Sequence, residues 1–95
     1  MADSGLVMLV AQIDAREHKL ITKPKVVSYG LVSDKQDRAF SQDMEAVLDQ
    51  FIHNAKIELL QDAKALETEI RQVLRKHIFR KMKKYPTIVP TIFVM

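Results

Sequence analysis

No cysteine occurs in the 95 residues. Disulfides and thiolate metal sites are thereby excluded, and a chain without cross-links suits a reducing compartment. Glycine is nearly as scarce. Gly5 and Gly30 are the only two, too few for a loop that cradles phosphate. Long apolar runs are missing as well: the longest, Gly5 to Ala11, falls far short of the roughly 20 residues that span a bilayer. Met1-Ala2-Asp3-Ser4 lacks the basic stretch that opens a secretory signal. Together these absences make the cytoplasm the expected location, with no membrane partner.

Catalytic patterns are lacking too. His18, His53 and His77 belong to no H-x-H or H-E-x-x-H pair, so no metal site is expected. His77 falls on an apolar helical stripe, where it reads as a hydrogen-bonded structural histidine. Asp43, Glu45 and Asp49 read as the solvated side of a helix rather than as working paired carboxylates. The serines and threonines have no G-x-S-x-G elbow and no neighbouring base. No catalytic residue, metal ligand or cofactor is therefore expected in this chain.

What is present is a modest core. Apolar content of 47% and charged content of 28% are ordinary for a globular protein, and the length suits one domain over residues 1–95. Gly5 to Asp14 is short, apolar and rich in branched residues, which predicts a strand. A polar connection, Asp14 to Lys19, leads to a second extended stretch between Leu20 and Val32, interrupted by Pro24 and Gly30. Pro24 places that strand at an edge or marks its start, with Val26 to Tyr29 as its body. From Val32 to Pro86 there is no glycine or proline. Phe40, Met44, Val47, Leu48, Phe51, Ala55 and Leu59 form one helical stripe, and Leu66, Ile70, Val73, Leu74, His77 and Ile78 a second. A turn is expected near Ile57 to Gln61, with Asp62 as the N-cap of the second helix. Pro86 is expected to close that helix, because it has no N–H and a fixed φ.

After Pro86 the chain runs Thr87-Ile88-Val89-Pro90-Thr91-Ile92-Phe93-Val94-Met95. A run this apolar predicts a strand docked in the sheet and directed opposite to the second strand. The expected fold is thus α+β, in the order β-β-α-α-β: a three-stranded sheet with two antiparallel helices packed on one face. In the first strand both alternations are apolar, Val7-Leu9-Ala11-Ile13 and Leu6-Met8-Val10. Helices can cover only one of these sets, so Leu6, Met8 and Val10 are expected to form an association surface.

Charge is unevenly spread around a net of +3. Acids dominate from Asp37 to Glu69, whereas Arg71 to Lys84 holds Arg71, Arg75, Lys76, Arg80, Lys81, Lys83 and Lys84 with no acid. Acids early and bases late is the order that helix dipoles favour. The same cluster is a candidate contact for RNA or an acidic partner, with Tyr85 available for stacking.

Three ordered motifs carry a resemblance. Glu69-Ile70-Arg71, Leu74, Ile78-Phe79, Lys83-Lys84-Tyr85-Pro86, Ile88-Val89-Pro90 and Ile92 follow a closing pattern of the form E-I-R-x-x-L…K-R-R-P-x-I-L-P-x-I. Asp3-Ser4-Gly5-Leu6-Val7 is similar to a D-G-I-V opening, and Pro24 to Val32 to G-P-x-I-I-S-R-G-F-V. These resemble the C-terminal domain of ribonuclease J, of the metallo-β-lactamase/β-CASP ribonucleases, over nearly the whole chain. Lys23, Tyr29 and Tyr85 depart from the pattern, standing where the family has glycine, arginine and arginine. The resemblance implies a parent enzyme that degrades and matures RNA by endonucleolytic and 5′-to-3′ exonucleolytic cleavage. Its zinc would lie in catalytic domains whose motifs do not occur in this sequence. It implies for this chain a non-catalytic role in homo-oligomerisation, in association with the parent's catalytic domains and in support of activity. An RNA-binding accessory module using the basic second helix is the alternative.

Overall fold

Strand β1 (Leu6–Asp14) is the axis of the fold. In the computed structural model, which describes residues 5–95, it is paired along both edges. One edge carries β2 (Lys19–Leu20) and β3 (Lys25–Tyr29), both antiparallel to it. The other carries β4 (Thr87–Val94), parallel to it from Leu6↔Thr87 to Ile13↔Val94. Asp3 and Ser4 of the opening motif lie outside the described residues.

The sheet therefore has four strands in three lanes, where three strands were expected. The difference lies at Ile21 to Pro24, which interrupt the second lane. Ile21 still donates its N–H to the Gln12 carbonyl at 2.9 Å, and the next strand opens directly after Pro24, as proline at a strand start allows. β4 runs opposite to β3, as expected, with β1 lying between them. The hairpin from β1 to β2 takes its turn from Asp14, whose Oδ1 accepts from the N–H groups of Arg16 and Glu17 at 3.0 and 3.1 Å. Such an Asx turn replaces the missing Asn-Gly signal.

Three helices follow: α1 (Asp37–Asn54), the single turn α2 (Ile57–Leu60), and α3 (Ala63–Met82). Two were expected, and the predicted break falls on α2 itself. The chain leaves helical geometry at Ala55 and Lys56, with ψ near 150° at both, and again at Asp62. Asp62 is the N-cap, its Oδ1 accepting from Ala65 N–H at 3.2 Å. The far end of α3 corrects a second expectation. It stops at Lys83, left-handed at φ 57°, whose N–H donates to the Phe79 carbonyl at 2.8 Å. The helix has thus ended before Pro86, which is buried in the lead to β4.

The core lies between the helices and one face of the sheet. Every fourth residue of α1 is buried (Phe40, Met44, Leu48, Ile52), and likewise of α3 (Leu66, Ile70, Leu74, Ile78). They meet Val7, Leu9, Ala11 and Ile13 from β1 and Ile88 and Ile92 from β4. Asp43, expected on a solvated face, points instead toward α3. Its Oδ2 lies 2.8 Å from His77 Nε2 and 3.4 Å from Lys81 Nζ, tying α1 to α3 at the core's margin. His77 is thereby the hydrogen-bonded structural histidine that its stripe position suggested. Among the described residues no helix is long and apolar enough to cross a membrane.

Candidate functional site

Two surfaces remain once the fold has used its share of side chains. The first is the outer face of the sheet. Strand partners share a face, so the register aligns Tyr29, Leu6 and Thr87 in one row, Val27, Met8 and Val89 in the next, and Lys25, Val10 and Thr91 beyond. Phe93 stands beside Gln12 at the far end. Met8, Val10, Tyr29, Val89 and Phe93 are 39–59% exposed, a concentration of large apolar side chains that scattered surface residues do not produce. Of the three residues expected there, Met8 and Val10 are exposed, while Leu6 is half-buried. Val27, Tyr29, Val89 and Phe93 join them through strand register, which no single segment displays.

The second surface is the end of α3. The structure divides the seven expected cations. Arg71 donates from Nε to the Ile88 carbonyl at 3.3 Å, Lys81 meets Asp43, and Lys84 donates to the Leu31 carbonyl at 3.4 Å. Those three are engaged by the fold. Arg75, Lys76, Arg80 and Lys83 instead line a depression around Phe79 and Tyr85. The two rings stack with centroids 4.3 Å apart and planes 11° from parallel. The Arg75 guanidinium lies 5.3 Å from the Tyr85 centroid and Lys83 Nζ 5.2 Å from that of Phe79, both within the range of cation–π attraction. A second depression, lined by Arg71, Arg75 and Tyr85 to Val89, adjoins it at Arg75 and Tyr85.

Tyr85, expected to offer a stacking face, is half exposed, with Phe79 stacked on its ring and the Arg75 guanidinium near it. Sequence reasoning missed Phe79. Its place four residues after Arg75 and four before Lys83 is a local signal that could have found it.

The arrangement can gather phosphates or carboxylates by charge. Among the described residues no group of three or more His, Cys, Asp or Glu is placed to hold a metal ion.

Comparison with known proteins agrees with the motifs. The family model for the ribonuclease J C-terminal domain matches residues 1–95. Two relatives, each named ribonuclease J, come from Helicobacter pylori strains ATCC 700392 / 26695 and B128. Each is 26% identical over 89 residues, which covers 94% of this chain and 13% of the relative. The chain thus spans about 13% of the length of the curated relatives it matches. With a family model matched from its first residue to its last, the chain belongs to the ribonuclease J C-terminal domain family.

Proposed function

We propose that the chain is a non-catalytic association domain of a ribonuclease J, and that the outer face of its sheet packs against the same face of a second copy. The parent enzyme would cleave RNA endonucleolytically and from the 5′ end, in the cytoplasm, with zinc held in its catalytic domains, which this domain would also contact.

The observation that carries this reading is the exposed apolar face. One of its rows, Val27, Met8 and Val89, has no charge in it. Lys25 stands in the next row, beside Val10, and the Asp14–Lys19 pair lies at the far end of the sheet. Stacking like on like through the uncharged Met8 row would remove Met8, Val89 and Phe93 from water.

Light scattering across concentration tests it. The mass is expected to rise from one chain toward two, and Met8→Lys with Phe93→Lys to hold it at one. A wild-type chain that remains monomeric at every concentration would overturn the reading.

RNA contact is a second reading, favoured by one observation. Arg75, Lys76, Arg80 and Lys83 surround the Phe79–Tyr85 pair, and among the described residues no carboxylate lies within salt-bridge distance of these four. Such cations would track a single-stranded phosphate backbone without reading its bases.

A further inference from the structure

β4 is an edge strand: β1 holds one side of it, and among the described residues no other strand pairs with it. A free edge of this kind invites another strand. Its outward groups can be identified from the ladder. Thr87 N–H donates to the Gly5 carbonyl and Met95 N–H to the Ile13 carbonyl, each at 2.9 Å. Odd-numbered positions therefore face β1, and positions 88, 90, 92 and 94 face away.

At three consecutive outward positions one backbone group is taken or missing, each by a different means. At Ile88 the carbonyl accepts from Arg71 Nε at 3.3 Å. At position 90 there is proline, which has no N–H to offer. At Ile92 the N–H donates to Glu67 Oε2 at 3.3 Å. Glu67 and Arg71 are one turn apart on the same side of α3. The acid takes an N–H and the base serves a carbonyl, as an adjoining strand would.

We propose that Glu67, Arg71 and Pro90 form a guard that keeps β4 from pairing with β4 of a second copy. The occupant follows from the strand. β4 is eight residues long and carries no charge, and its own duplicate presents the complementary donors and acceptors when turned antiparallel. This concerns the edge of the sheet and stands apart from packing through its face.

The experiment removes the guard in two independent ways. In Glu67→Ala/Arg71→Ala, hydrogen exchange at the Ile92 amide is expected to quicken at least tenfold in dilute protein, while the Val89 amide, directed at β1, keeps its rate. As concentration rises, light scattering is expected to show a dimer that survives Met8→Lys with Phe93→Lys, the pair that holds the otherwise wild-type chain at one. Pro90→Val restores an outward N–H with α3 intact and is expected to favour the same dimer, even if the double variant loses its helical circular dichroism. A mass of one chain for both variants when they also carry Met8→Lys with Phe93→Lys would overturn the guard.

Discussion

Gly5 shows how much one residue can decide. It sits at φ 93°, and a Cβ there would collide with the Tyr29 carbonyl oxygen and stand 2.9 Å from the Gly30 carbonyl carbon. The start of β1 and the end of β3 approach this closely because Leu6 pairs with Tyr29. Gly5→Ala is therefore expected to destabilise the fold by about 2–4 kcal/mol, combining a left-handed backbone with a backbone clash. At Gly30, with φ 69°, an added Cβ meets only the Gly5 Cα at 3.8 Å, so alanine is expected to cost only about 1–2 kcal/mol there. Urea denaturation of the two variants measures the difference, and equal midpoints would contradict the assigned contact. The sequence displays two scarce glycines. That they face each other across strands 25 residues apart depends on pairing, which composition does not contain.

At the scale of elements, local chemistry was readable and choice of face was not. Asp62 could be identified as a cap because a short acceptor before an apolar run satisfies orphan N–H groups wherever it occurs. Asp62→Ala is expected to cost about 1 kcal/mol and Asp62→Asn only a few tenths, since asparagine keeps an acceptor. Thermal melts of both variants decide this, and similar losses would mean that Asp62 acts through its charge. The predicted helical stripes are broader than the rows that the fold seals. Val47, Phe51 and Val73, on the predicted stripes, are only half-buried, whereas Ile52 and Leu60, off them, are fully buried. Periodicity gives a helix an apolar side; the sheet beneath and the neighbouring helix decide which rows along that side are sealed. The interrupted second lane has the same cause. Leu20 and Val26 line up on one edge only because β1 is long enough to pair with both stretches.

At the scale of the molecule, the basic end of α3 has fewer cations left uncommitted by the fold than its sequence indicates. Arg71 and Lys84 donate to the carbonyls of Ile88 and Leu31, partners 17 and 53 residues away that no helical wheel reveals. A cation engaged by the fold and a cation free to meet phosphate predict different losses. If the domain binds single-stranded RNA, Arg75→Ala/Lys76→Ala/Arg80→Ala is expected to weaken it and to flatten the dependence of log K on log salt by about 0.7 for each phosphate contact removed. Lys84→Ala, and Arg71→Ala in protein kept dilute, are expected to lower thermal stability and leave the salt slope near wild type. Binding isotherms on an unstructured oligonucleotide at three or more salt concentrations separate the two groups. Equal flattening by both sets would return all seven cations to one diffuse patch. No salt-dependent binding in the wild type would leave the outer sheet face as the surface through which this domain works.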